Sequence, residues 1–143
     1  KSHHFLGVNE NGMASIVNTT GNPDGHIVLR GGSKGPNFES QHVQRISAEL
    51  KQFNLPHKVM IDCSHGNSNK DFKKQSEVLK NIASQISNGE KNILGVMLES
   101  HLKEGNQKLL KKEDLDFGRS ITDACIDIDT TKKLLATLYN SLN

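Results

Sequence analysis

Three short apolar segments at nearly even spacing constrain the fold more than any other feature of this sequence. They cover residues 26–29, 58–61 and 92–98, are rich in Ile, Val, Leu and Met, and are bounded by Gly, Pro or Asn. These properties are typical of buried β-strands. Polar residues follow each segment, so the chain changes character where each predicted strand ends.

Between the predicted strands, the apolar residues recur with the period of an α-helix. One stripe comprises Val43, Ile46, Leu50 and Phe53, and a second comprises Val78, Leu79, Ile82, Ala83 and Ile86. Gly89 follows the second stripe, where a left-handed residue commonly ends a helix. A third helix is predicted to begin near Asp129 or Thr130 and to reach Leu142, because either side chain can accept from the free N–H groups of a first turn.

This alternation of strands and helices predicts a parallel sheet covered by helices. Arg30, His65 and Glu99 follow the three strands and are 35 and 34 positions apart. In an eight-stranded α/β barrel, functional residues gather where strands end, because every βα loop opens onto one face. A doubly wound open sheet would also place chemistry there, but the near-constant spacing favours the barrel.

A β-hairpin is predicted ahead of the first strand, over about residues 5–18. Alternating residues there flank Asn-Glu-Asn-Gly, a turn sequence suited to positive φ. The hairpin would be an insertion rather than a barrel unit, and the βα units would occupy about residues 26–143. The polar run at 101–118 is predicted to be a long loop after the third strand. We therefore interpret residues 1–143 as one portion of a single domain.

Composition argues against several classes of function. The 143 residues carry 18 basic and 16 acidic side chains, a net charge of +2, so no electrostatic footprint for nucleic acid or membrane stands out. The aromatic content of 4%, without Trp, argues against base stacking, and no apolar stretch approaches the length of about 20 residues that a membrane span needs. Cys63 and Cys125 lie far apart, which argues against a disulfide scaffold. We expect a cytoplasmic protein in which Cys63 is a small core residue.

His65, Glu99 and Asp123, the last within SITDACI, are candidate ligands for a divalent metal ion. This mixed donor set suits Mn, Fe, Co or Zn, and the sequence does not choose among them. Arg30 is followed by two glycines, which fits phosphate binding. Each residue also has a structural interpretation: a loop His bonded to backbone, an ion-paired Glu, a turn-capping Asp and a solvated Arg. Arg30, His65 and Glu99 lie at equivalent positions of successive units, and this coincidence favours a functional site.

Four motifs, in order, resemble one known family: HIVLRGG, VMIDCSHGNSNKDFKKQ, GVMLESHLKEGNQ and SITDACI. Together they closely resemble the C-terminal part of class I 3-deoxy-D-arabino-heptulosonate 7-phosphate (DAHP) synthase, the first enzyme of the shikimate pathway. The resemblance covers essentially the whole chain. It implies a (β/α)8 TIM barrel of which this chain supplies about the last three βα units, preceded by the hairpin.

The resemblance also implies a reaction. Family members are transferases that condense phosphoenolpyruvate with erythrose 4-phosphate, giving DAHP and phosphate, at a divalent metal. Position by position, His65, Glu99 and Asp123 match metal ligands, and Arg30 matches an arginine that grips the phosphoenolpyruvate phosphate. His65 and Asp123 would also lie at the substrates, and His65 and Arg30 would be the catalytic residues.

For the hairpin, the resemblance implies subunit contacts and a feedback pocket for an aromatic amino acid. Phe5, Gly7 and Val17 match positions of that pocket, and relatives carry Ser or Gly at the place of Gly7. The smaller residue leaves room for a phenolic hydroxyl, which favours tyrosine as the inhibitor. A homodimer or homotetramer is expected.

Several family features have no match in this sequence. The fourth metal ligand, a cysteine of the first strand, is not matched by Cys63 or Cys125, and a Lys-Pro-Arg-Thr motif, a second phosphate-binding arginine and an active-site lysine are missing. Three strands cannot close an eight-stranded barrel. We therefore expect these residues to belong to an enzyme of roughly twice this length or more, judged from barrel size, and to be inactive alone.

Three alternatives stay open at this point. The first is a metal-dependent TIM-barrel hydrolase, although Arg30 suits a phosphate-bearing substrate better. The second is a non-catalytic fragment that binds an aromatic amino acid through the hairpin. The third is a synthase for a different sugar phosphate.

Overall fold

A computed structural model describes residues 1–142, which form two β-sheets and three α-helices. The strands are β1 (His3–Val8), β2 (Ala14–Thr19), β3 (Ile27–Leu29), β4 (Val59–Asp62) and β5 (Ile93–Met97), and the helices are α1 (Ser40–Gln52), α2 (Gln75–Ser87) and α3 (Ile128–Asn140). Strands β1 and β2 are antiparallel and make a hairpin. None of the helices in the described part of the chain has the length and apolar character that crossing a membrane requires.

The three remaining strands form a parallel sheet in the order β3-β4-β5. The predicted parallel sheet is therefore confirmed, with strand ends that differ from the predicted ones by at most one residue. Helix α1 connects β3 to β4, and α2 connects β4 to β5. Because the strands are parallel and neighbouring, their carboxyl ends lie at one edge of the sheet.

One face of this sheet packs against the helices in a single core. Alternate strand residues face this core, because successive side chains of a strand point to opposite sides. The buried residues of the core are Leu29, Val43, Val59, Ile61, Cys63, Val78, Leu79, Ile82, Ile126 and Leu134. Val28 and Leu94 point away from it and are 45% and 55% exposed. The opposite face of the sheet thus stays open within residues 1–142.

Three predicted helix features are wrong, and all concern helix ends. Helix α3 ends at Asn140 and does not reach Leu142 as predicted. Helix α1 ends at Gln52, and Phe53 lies in the terminal turn with 70% of its surface exposed. Helix α3 is capped by Asp127, whose Oδ1 accepts from the Thr130 N–H at 2.6 Å, rather than by Asp129 or Thr130. In contrast, Gly89 follows α2 with a φ of +93°, as predicted.

The predicted long loop after β5 is present and folds back on the segment before α3. Two backbone bonds join Gly105 and Cys125, at 2.8 and 3.2 Å. Further along, Asp116 pairs with both Lys103 and Arg119. These contacts hold the segment that carries Asp123 beside the end of β5, so they determine where that side chain lies.

Candidate metal centre

The loops after β3 and β4 are in direct backbone contact. Gly31 has a φ of +76°, and a Cβ added there would lie 2.5 Å from the carbonyl carbon of Gly66. The Gly66 N–H donates to the carbonyl of Arg30 at 3.0 Å. The buried Asn67 amide donates to the carbonyls of Leu29 and Asp62, at 2.9 and 2.8 Å. Arg30 is therefore held beside the loop that carries His65.

His65 lies in this loop with its imidazole oriented by a carboxylate. Its Nδ1 is 2.7 Å from Oδ2 of Asp62, a residue only 3% exposed. An ionised carboxylate only accepts hydrogen bonds, so this contact favours the neutral tautomer of His65 that has its proton on Nδ1 and a free lone pair on Nε2. That Nε2 atom is 3.6 Å from Oε1 of Glu99.

Glu99 follows β5 and is fixed through both its backbone and its side chain. The fully buried Gln75 of α2 accepts from the Glu99 N–H at 2.8 Å and donates to its carbonyl at 3.1 Å. Ser64 Oγ donates to Oε2 of the carboxylate at 2.5 Å. The other oxygen, Oε1, is left facing His65.

Asp123 completes a cluster with these two residues. One ligand atom from each of His65, Glu99 and Asp123 lies within 4.8 Å of the others. They border a cavity of about 280 Å³, which is lined by Arg30, Ser64, His65, Lys70, Glu99, Asp123 and Ala124. The structure thus brings together all four residues that the sequence predicts for this site.

The donor set of this cluster fits a divalent cation. One imidazole nitrogen and two carboxylates converge, and the buried Asp62 adds a third carboxylate behind His65. Within the described residues, no lysine or arginine pairs with any of these three carboxylates. A dication would offset this negative charge, and the mixed nitrogen and oxygen ligands suit several transition metals.

Neither cysteine joins the cluster within the described residues. Cys63 is fully buried, which confirms it as a core residue. Burial raises the pKa of the Cys63 thiol to about 12, and the nearby Asp62 charge adds to this rise. Burial also raises the pKa of the partly buried Cys125. A thiol with a raised pKa stays protonated at neutral pH and is a poor ligand.

Sequence reasoning missed three residues that shape the site: Asp62, Gln75 and Lys70. Only Asp62 gave a usable signal, because it directly follows a predicted strand and precedes His65 by three positions. Lys70 also lines the cavity, and its positive charge is opposite to that of the carboxylates. Its φ is +61°, and its N–H donates to the carbonyl of His65 at 2.7 Å. Its contribution depends on loop geometry, which has no periodic pattern.

The predicted pocket residues of the hairpin lie together on one face. Phe5 pairs with Val17 across the strands. A Cβ added at Gly7 would lie 3.0 Å from Cγ2 of Val17 and 3.4 Å from Cε2 of Phe5. The ring of His3 stacks on Phe5 with centroids 5.9 Å apart. None of these residues lines the metal cavity.

Comparison with known proteins gives consistent matches over almost the whole chain. The model of the DAHP synthetase I family matches residues 1–136. The Phe-sensitive phospho-2-dehydro-3-deoxyheptonate aldolase of Escherichia coli K12 is 52% identical over 140 residues, which are 98% of this chain and 40% of that protein. The tyrosine-inhibited aldolase of Schizosaccharomyces pombe is 48% identical over 144 residues, covering 98% of this chain and 39% of that protein.

The structure gives the same result. A solved phospho-2-dehydro-3-deoxyheptonate aldolase from Francisella tularensis superposes with a TM-score of 0.88 at 46% identity. The match covers 99% of this chain and 41% of that one. This chain therefore spans about 40% of the length of the relatives it matches. On the strength of these matches, the chain belongs to the DAHP synthetase I family.

Proposed function

We propose that this chain forms part of a metal-dependent transferase that condenses phosphoenolpyruvate with erythrose 4-phosphate to give DAHP and phosphate. The observation that carries the proposal is the convergence of His65, Glu99 and Asp123 within 4.8 Å, in a cavity that Arg30 also lines. The names of the relatives support it, because they describe aldolases of the same product. The reaction is the first step of aromatic amino acid biosynthesis through the shikimate pathway.

The reaction needs one carbon–carbon bond and one carbon–oxygen cleavage. The methylene carbon of phosphoenolpyruvate attacks the aldehyde carbon, and the electron pair of the aldehyde moves to its oxygen. Water then adds to the cation at C2 of the former phosphoenolpyruvate, and one of its protons neutralises the new alkoxide. The C2–O bond to phosphorus then breaks, so phosphate leaves with the second proton and C2 becomes a ketone. A divalent ion held by His65, Glu99 and Asp123 would supply Lewis-acid polarisation of the aldehyde oxygen.

The side chains around the cavity have separate roles in this proposal. The Arg30 guanidinium would grip the phosphate of phosphoenolpyruvate, because its planar donors match phosphate oxygens in pairs. Lys70 would add a second positive charge in the same cavity.

The open face of the parallel sheet supports a barrel completed by further strands. Val28 and Leu94 are exposed there, and β3 and β5 are the edge strands of the sheet in residues 1–142. We place these βα units as the last three of a (β/α)8 barrel.

The hairpin also exposes Leu6, Val8 and Ile16 on one face, at 82%, 71% and 66%. Such a face suits a subunit contact in a homodimer or homotetramer.

Feedback by an aromatic amino acid is part of the same proposal. Phe5, Gly7 and Val17 would line the pocket, and the missing side chain at Gly7 would leave space for the phenolic hydroxyl of tyrosine. The relatives include one named Phe-sensitive and one named tyrosine-inhibited, so their names do not choose the inhibitor.

Calorimetric titration of the complete protein should show tighter binding of tyrosine, and Gly7→Ser should shift the preference towards phenylalanine. Tighter phenylalanine binding by the unaltered protein would contradict the choice.

The reaction itself is tested with the complete protein that contains this chain. Phosphate release should require both substrates, stop with a chelator, and return when Mn²⁺ is restored. Glu99→Gln should abolish turnover, whereas Glu49→Gln, on the exposed face of α1, should not. Metal-dependent hydrolysis without consumption of phosphoenolpyruvate would favour the hydrolase hypothesis. Amino acid binding without any turnover would favour the non-catalytic one.

A further inference from the structure

Asp62 is a buried carboxylate that the proposed reaction does not use. It is 3% exposed, and its two oxygens accept from the Ser64 N–H at 2.8 Å and from His65 Nδ1 at 2.7 Å. In the described residues, the imidazole of His65 is its only ion-pairing partner. Burying a carboxylate is unfavourable unless its hydrogen bonds are made. A turn alone would not need a buried carboxylate, so the two hydrogen bonds of Asp62 indicate a further role.

The contact between Asp62 and His65 decides which imidazole nitrogen is free. A neutral imidazole can hold its proton on either nitrogen, and only the deprotonated one binds a metal. Since the carboxylate accepts from Nδ1, the free lone pair lies on Nε2, the atom 3.6 Å from Glu99. Without an acceptor at Nδ1, a fraction of the protein molecules would carry the proton of His65 on Nε2.

Ser64 connects the same carboxylate to the second ligand. Its N–H donates to Asp62 Oδ1, and its Oγ donates to Glu99 Oε2 at 2.5 Å. Ser64 is also 3% exposed, so water competes little for these bonds. A continuous path therefore runs from His65 through Asp62 and Ser64 to Glu99, and it links the ends of two different strands.

We propose that Asp62 and Ser64 are positioning residues of the metal centre. Asp62 selects the imidazole tautomer with Nε2 free, and Ser64 turns the Glu99 carboxylate so that Oε1 faces the same point. Outer-shell partners of this kind commonly change metal affinity 10–100-fold when they are removed. The inference rests on the metal site of the proposed function, but not on the reaction.

Asp62→Asn tests the tautomer directly, because the shape is kept while the amide can donate to Nδ1. The first readout is the pair of imidazole nitrogen chemical shifts of His65 in the metal-free complete protein, measured by NMR. We expect Nδ1–H in the unaltered protein and a shift towards Nε2–H in the variant. The second is the Mn²⁺ dissociation constant from calorimetry, which should rise by about 10–100-fold.

Ser47→Ala provides the matched control. Ser47 is as buried as Asp62, but its Oγ donates to the carbonyl of His57 at 2.7 Å and it does not line the cavity. This variant should lower the melting temperature and leave the tautomer and the Mn²⁺ affinity of the folded protein unchanged. An equal loss of affinity in Ser47→Ala and Asp62→Asn would overturn the proposal, since a general loss of stability would then explain both.

Ser64→Ala keeps the proposal testable where Asp62→Asn does not fold. It should weaken Mn²⁺ binding about tenfold and leave the His65 tautomer unchanged. Wild-type affinity in both variants, or an unchanged tautomer in Asp62→Asn, would refute the assigned roles. Failure of the proposed reaction is a separate result: loss of phosphoenolpyruvate turnover with the expected tautomer and Mn²⁺ data would overturn the activity and leave the positioning roles standing.

Discussion

His65 belongs to a loop in which several residues adopt left-handed backbone angles without being glycine. Its φ is +45°, and those of Asn69 and Lys70 are +52° and +61°. Such conformations cost on the order of 1 kcal/mol each for ordinary side chains, and they persist where surrounding bonds hold them. Here the Asn67 amide and the bond from the Lys70 N–H to His65 hold the loop. The backbone strain is therefore concentrated at the candidate ligand His65 and at Lys70, whose positive charge lines the cavity.

A substitution at Lys70 should separate stability from binding. Lys70→Gly removes the left-handed strain and the cation together, so we expect a free energy of unfolding higher by up to about 1 kcal/mol and inorganic phosphate binding weaker by severalfold. The measurements are denaturant unfolding and calorimetric titration of the complete protein.

Lys80→Gly is the matched control, because Lys80 is an exposed residue in the interior of α2 and does not line the cavity. It should lower stability by about 0.5–1 kcal/mol and leave phosphate binding unchanged. Lower stability in Lys70→Gly would show that the backbone of Lys70 is not strained.

At the scale of elements, single hydrogen bonds and close contacts decide where loops and helices begin. Periodicity predicts α1, α2 and α3 well, because many residues contribute to each stripe. The ends are harder to predict: Asp127, Asp129 and Thr130 are all chemically able to cap α3, and only the folded chain selects Asp127. The bond from Ser64 to Glu99 joins two separate loops, so the sequence alone does not indicate it.

The contact between the β3 and β4 loops gives a prediction at this scale. Gly31→Ala would place a methyl group 2.5 Å from the Gly66 backbone at a positive φ, so we expect a loss of about 2 kcal/mol or more in the free energy of unfolding. Gly32→Ala, the adjacent control, meets nothing within 4 Å and should be nearly neutral. Chemical denaturation of both variants measures the difference, and equal stability would argue against the contact.

The cap of α3 should contribute to acid sensitivity. The Thr130 N–H and hydroxyl lower the pKa of Asp127 below its usual value. A carboxyl group whose pKa is lower in the folded state stabilises the fold above its unfolded pKa, and this contribution is lost as the pH falls below about 4. Asp127→Asn keeps a capping oxygen but does not titrate. The loss of melting temperature between pH 6 and pH 3 should therefore be smaller in this variant, and an equal loss would contradict the assignment.

At the scale of the whole molecule, the sequence allowed the parallel sheet, the four cavity residues and the family to be predicted. The even spacing of the strands and their polar ends predicted the sheet and the positions of Arg30, His65 and Glu99, whereas the family was predicted from the resemblance of four motifs. What the sequence could not give is how Asp123 reaches His65 and Glu99, because this depends on the long loop folding back through Gly105 and Cys125. Contacts between distant, irregular segments leave no periodic signal.

A metal at the cluster should stabilise the complete protein. A ligand that binds only the folded state, at a free concentration 100 times its dissociation constant, raises the free energy of unfolding by about 2.7 kcal/mol. Thermal unfolding with and without Mn²⁺ measures this effect. Glu99→Gln should reduce it strongly, whereas Glu77→Gln, on the exposed side of α2, should retain it. A Mn²⁺ effect of the same size in Glu99→Gln would place the metal elsewhere.

The backbone contact between Gly31 and Gly66 also links two binding events thermodynamically. Arg30 and His65 are each one residue from that contact, so neither loop can shift without displacing the other. An anion that orders the first loop and a cation that orders the second would then lower each other's dissociation constant by the same factor, as reciprocal linkage requires. The close contact of Gly31 and Gly66 would thereby couple the proposed phosphate contact of Arg30 to the proposed metal ligand His65.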